Sequence, residues 1–125
     1  MGYKTLRRAV CLHGLLAVSL SAWADCYDPP GPGVDWRGCD KRGVDMEGAN
    51  MRAMNLEHTN LMAANLFKAD LADAYMWSTN LWEANLAGAN LRNARLSGAY
   101  FRGAWLADAT LGGWPVVRIG QLWRM

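Results

Sequence analysis

At 125 residues the chain is long enough for one domain. Its formal charge of +2 overstates the basicity of that domain, because Lys4, Arg7 and Arg8 precede it; without them ten basic residues face eleven acidic ones, about −1. A body this close to neutrality has no general electrostatic reason to seek nucleic acid or anionic lipid.

Residues 1–24 read as a cleaved signal peptide. Lys4, Arg7 and Arg8 supply the positive start, Cys11 to Leu20 the apolar stretch, and Ala22-Trp23-Ala24 a small-x-small cleavage site. The apolar run from Ala9 to Ala24 is short for a membrane span and no stop-transfer flank follows it. No stable membrane insertion is therefore expected after cleavage. A lipoprotein would be anchored through Cys26, but Asp25 stands where a small residue belongs. That favours a soluble bacterial protein, periplasmic or secreted.

Residues 25–33, DCYDPPGPG, form a Pro/Gly-rich arm. Cys11 leaves with the signal, so Cys26 and Cys39 remain. An even pair in an exported chain reads as a disulfide rather than a metal site or a nucleophile. It is expected to tie the arm to the body and, by closing a short loop, to stabilise the fold by roughly 2–3 kcal/mol.

From Val34 to Gly113 the chain divides into 16 uninterrupted five-residue units. The third position is Leu in 10 units and Met in three, with Trp36, Lys41 and Phe101 in the others. The first is Ala in 10, and the second is Asn in seven and Asp in four. Neither helix nor strand buries an apolar residue at every fifth position. A chain that turns about 90° per unit does: third positions point to a common axis, and 20-residue coils stack about 4.8 Å apart. Small first-position residues then also face inward, while a second-position Asn or Asp bonds the backbone of its own turn. The last two positions face solvent.

With these units the sequence resembles the pentapeptide-repeat family, whose motif A(D/N)LXX is matched twice in succession by ANLAGANLRN, residues 84–93. The resemblance implies an all-β fold, a right-handed quadrilateral β-helix, here of about four coils of four pentapeptides. Handedness comes from the family alone. Lys41 breaks the pattern in the first coil, where its stem is expected to snorkel out of the open end of the core. Trp36 in the same coil is placed to lid that end. Residues 114–125 abandon the period and are strongly apolar. Trp114, Val116, Val117, Ile119, Leu122 and Trp123 are read as a cap over the last coil, or else as a surface for homodimerisation.

Chemistry is sparse. An axis packed with Leu and Ala leaves no interior cavity, so no catalytic, cofactor or metal residues are assigned and the protein is not expected to be an enzyme. His58 beside Glu57 is read as a plain surface pair, and Asp35, Asp40 and Asp45 as turn formers. Glycines such as Gly38, Gly88 and Gly103 recur at corners rather than in a phosphate loop. The less expected residues are the outward aromatics. One column of fourth positions reads Arg42, Met62, Trp82, Arg102, and Trp77 lies on the adjoining face. Met62, Trp77, Trp82 and Arg102 have the composition of a protein-binding patch. Second-position Tyr75, Tyr100 and Trp105 enlarge the apolar surface nearby, and Phe67 points outward on a third face.

The expected function is a non-enzymatic interaction or scaffold module whose partner is another envelope protein. The alternative is a structural or stress-related envelope protein with no discrete patch. Some family members mimic duplex DNA and act on topoisomerases through a strongly negative surface. Here the charge is near neutral, and outward Arg42, Arg52, Arg92 and Arg102 interrupt any acidic stripe, so that reading ranks last and no nucleic acid is expected to bind.

Overall fold

The computed structural model describes residues 25–112 together with two short strands, β1 (Val117–Ile119) and β2 (Leu122–Arg124). The signal peptide of residues 1–24, and Trp114 and Val116 of the apolar tail, lie outside the described residues. Among the described residues no helix is long and apolar enough to cross a membrane.

The chain returns above itself every 20 residues. Second-position residues pair in parallel with the residue 20 further on, from Asp35 with Asn55 through to Asn90 with Thr110. Each of the five N–H groups in a unit has its own destination. The third reaches the coil above, as Trp36 N–H does to the Asn55 carbonyl at 2.8 Å, and the fifth does the same, Gly38 to Glu57 at 2.9 Å. The second reaches the coil below, Asn55 to Val34 at 2.9 Å, and the first closes the corner, Cys39 to Trp36 at 2.9 Å. Only the fourth N–H lacks a backbone partner, and where the second position is Asn or Asp its side chain takes it: Arg37 N–H to Asp35 Oδ1 at 3.0 Å, Ala87 N–H to Asn85 Oδ1 at 3.1 Å. This is why the second position wants Asn or Asp.

First- and third-position side chains fill the axis. Leu56, Leu61, Leu66, Leu71, Met76 and Leu81 are fully buried between them. Among the described residues Thr59 and Thr79 are the buried polar ones, and their hydroxyls donate to the carbonyls of Trp36 at 2.8 Å and Leu56 at 2.7 Å. The corners place the fifth residue in the left-handed region whether or not it is glycine, as in Ala53 (φ 54°), Glu83 (φ 58°) and Gly103 (φ 72°). Non-glycine residues there carry local strain.

The arm covers the first end. Cys26 and Cys39 are joined, with their Cα atoms 5.5 Å apart. Trp36 is buried and its Nε1 donates to the Asp28 carbonyl at 3.0 Å. Lys41 is half-buried at this end. Its Nζ lies 3.9 Å from the Trp36 ring centroid, and partial burial holds its pKa below the usual lysine value against the pull of Asp25. An aromatic face in reach offers the ammonium a partner that bare solvent exposure would forgo.

The last rung differs from the rest. Its second positions are Arg95, Tyr100, Trp105 and Thr110, with no Asn or Asp among them. Its inward Leu96, Phe101, Ala109 and Leu111 are only half-buried. Strands β1 and β2 form an antiparallel hairpin in which Ile119 pairs with Leu122 and Val117 with Arg124.

Candidate interaction surface

Stacking in steps of 20 turns outward side chains into columns. Across the last two rungs, Tyr75 is followed by Arg95, Asn80 by Tyr100 and Asn85 by Trp105 at the second positions. At the fourth positions Trp77 is followed by Ser97 and Trp82 by Arg102. Each of these columns holds one aromatic and one polar side chain, and together they span three sides of the solenoid.

The aromatics are open to solvent: Tyr75 at 37% exposure, Trp77 at 42%, Trp82 at 44%, Tyr100 at 64% and Trp105 at 67%. With Tyr27 of the arm these make up the exposed large apolar residues among those described, and none is aliphatic. The four patch residues of the sequence reading are not equal members. Trp77 and Trp82 offer their rings to solvent, Arg102 is exposed with its guanidinium carbon 6.0 Å from the Trp82 centroid, and Met62 is half-buried one rung below. Phe67, expected outward, is half-buried with Lys68 Nζ 5.0 Å from its ring.

Arg95 was not part of the expected patch. Its guanidinium carbon lies 4.9 Å from the Tyr75 centroid, closer than Arg102 lies to Trp82. The signal was present in the sequence as the 20-residue step from Tyr75 to Arg95, which places an arginine directly beside an outward ring.

The arginines divide by position. Arg37 pairs with Asp35 at 3.1 Å, Arg42 with Asp40 at 2.8 Å, and Arg52 with Asp70 and Asp73 at 3.4 and 3.1 Å. The Arg42 guanidinium holds the Asp40 carboxyl below the usual aspartate range. Among the described residues no carboxylate pairs with Arg92, Arg95 or Arg102, and the acidic residues from 74 to 112 are Glu83 and Asp108 alone.

Elsewhere the polar residues serve the fold. Asp35, Asp40 and Asp45 each accept the N–H two residues on, and Asp45 also accepts Asn65 Nδ2 at 2.9 Å. His58 occupies an exposed left-handed corner. Among the described residues no three His, Cys, Asp or Glu side chains are grouped so as to hold a metal ion.

A 20-residue period, an apolar axis and a hydrogen-bonded corner in every unit define a four-sided β-solenoid. The family model for pentapeptide repeats matches residues 45–76, 64–103 and 78–113, with eight copies. The chain belongs to the pentapeptide-repeat family. Among solved structures it is similar to a pentapeptide repeat protein from the Arabidopsis thaliana thylakoid lumen, with 32% identity and a TM-score of 0.60 over 62% of this chain and 53% of that one. It is also similar to a pentapeptide repeat protein from Nostoc PCC 7120, at 27% identity and a TM-score of 0.60 over 66% of this chain and 83% of that one. The chain thus spans about half the length of the Arabidopsis protein. No curated protein matches it. These likenesses imply a right-handed β-helix, and the family supports a non-enzymatic repeat protein.

Proposed function

We propose that this is an exported, non-enzymatic module that binds another protein of the bacterial envelope through the surface around Trp77 and Trp82. The observation that carries the reading is the exposure of both indoles at fourth positions on adjoining sides of the rod. Export is supported by the signal-like leader, by the Cys26–Cys39 disulfide and by the likeness to a thylakoid-lumen protein. In the same reading four coils make the rod, the tied arm closes its first end, and residues 114–125 cap the last, over half-buried Leu96 and Phe101. A dimer that dissociates on dilution would assign that tail to self-pairing instead.

The test is capture from periplasmic extract. The wild-type protein retains a partner that Trp77→Ala with Trp82→Ala loses, while Tyr27→Ala on the arm retains it. Equal recovery by all three proteins removes the patch from the account.

A further inference from the structure

We infer that the partner presents a carboxylate-rich protein segment, gripped by Arg95 and Arg102 between the exposed rings. This rests on the protein-binding reading above and adds the chemistry of the other side. The first ground is the division of the arginines: those of the early coils are neutralised by neighbouring aspartates, whereas Arg95 and Arg102 lie beside Tyr75 and Trp82 with no described carboxylate to pair with. A guanidinium beside a ring keeps its edge donors free, and those donors match a carboxylate in a two-pronged geometry. The second ground is local charge, since from residue 74 to 112 three arginines outnumber two acids although the whole body is near neutral. A surface of this sign steers acidic partners and repels basic ones.

The shape favours protein over an anionic glycan. Tyr75, Tyr100 and Trp105 stand at second positions on three successive sides of a four-sided rod, so their rings do not share a plane. A stiff sugar strand stacks on coplanar rings, whereas a protein segment can follow the corners and place carboxylates at Arg95 and Arg102 on different sides.

The test uses poly-L-glutamate as the probe, with polygalacturonate as the glycan arm, and follows tryptophan fluorescence of the full chain. Poly-L-glutamate binds the wild type, weakens steeply with added salt, and loses roughly tenfold or more in affinity when Arg95→Gln and Arg102→Gln are combined. Arg37→Gln, on the acidic coils, leaves the affinity unchanged. No binding of poly-L-glutamate, or binding indifferent to the two substitutions, overturns the inference. If the extract partner is still lost with Trp77→Ala and Trp82→Ala in that case, the patch stands and only its acidic specificity falls. Tighter binding of polygalacturonate than of poly-L-glutamate overturns the choice of a protein segment.

Discussion

Asn90 Nδ2 donates to Asp70 Oδ1 at 2.9 Å, and the same oxygen accepts the Ala72 N–H at 3.1 Å. One carboxylate therefore closes its own turn and ties it to the coil above. Ala72 is buried, so its N–H has no water to fall back on. Asp70→Ala should cost about 2–3 kcal/mol through that stranded donor, whereas Asp70→Asn, which keeps an acceptor, should cost under about 1 kcal/mol. Urea melts of the two variants check the difference. Equal losses would show that the acceptor oxygen is not what the turn depends on.

Gly103 sits at a corner with φ 72°, and a Cβ there would meet Glu83 Cγ at 3.1 Å and Trp82 Cδ1 at 3.7 Å. Valine cannot adopt that backbone without strain, so Gly103→Val is expected to lose about 2–3 kcal/mol. Asparagine tolerates the left-handed region, and Gly103→Asn should lose less than half as much. Thermal melts separate the two.

The Cys26–Cys39 crosslink closes a loop of sequence separation 13 over the first end of the core. Its reduction is expected to lower stability by roughly 2–3 kcal/mol. The double substitution Cys26→Ser with Cys39→Ser should lose a similar amount and make the melt indifferent to reductant. A wild-type melt that reductant leaves unchanged contradicts the role given to the arm.

Lys41 gives a pH signature. Burial holds its folded pKa below the ordinary 10.5, with Asp25 opposing the shift. Between the folded and unfolded values the unfolded chain binds more protons, so stability rises as pH climbs through the folded pKa and levels off above 10.5. Lys41→Met should remove that alkaline gain. Near pH 7 the variant should differ from the wild type by under about 1 kcal/mol, since the ammonium is only partly buried and its contact with Trp36 is lost with its charge. Denaturant melts of both proteins at pH 7 and near pH 10 isolate the effect as a difference.

The axis was readable from the leucines alone, because a fivefold apolar period admits few solutions and the inward positions follow from it. That Asn85 and its equivalents bond the turn backbone was readable from their short side chains, but which N–H they take was not, because that depends on which donors the stacked coils leave unpaired. The corners were half readable: glycine at 38, 88 and 103 marked them, but Ala53 and Glu83 occupy the same left-handed geometry. There the stacked coil overrides local preference, and no residue-by-residue propensity records that. The contact of Lys41 with Trp36 was not readable, because the nearness of the two is a property of the closed first end rather than of the repeat. At the candidate surface Trp77 and Trp82 were legible as large residues at outward positions. The column of Met62, Trp82 and Arg102 was legible in steps of 20, and the same step from Tyr75 leads to Arg95, which the reading of the patch left out.

The most direct test of the binding surface is oxidative footprinting of the protein in the intact envelope against the purified protein. Trp77 and Trp82 should be oxidised readily when the protein is alone and protected in the envelope, with Tyr27, exposed on the arm, oxidised equally in both. Equal oxidation of Trp77 and Trp82 in the two settings would contradict the account, because a surface that binds a partner cannot remain as open in its presence as in its absence.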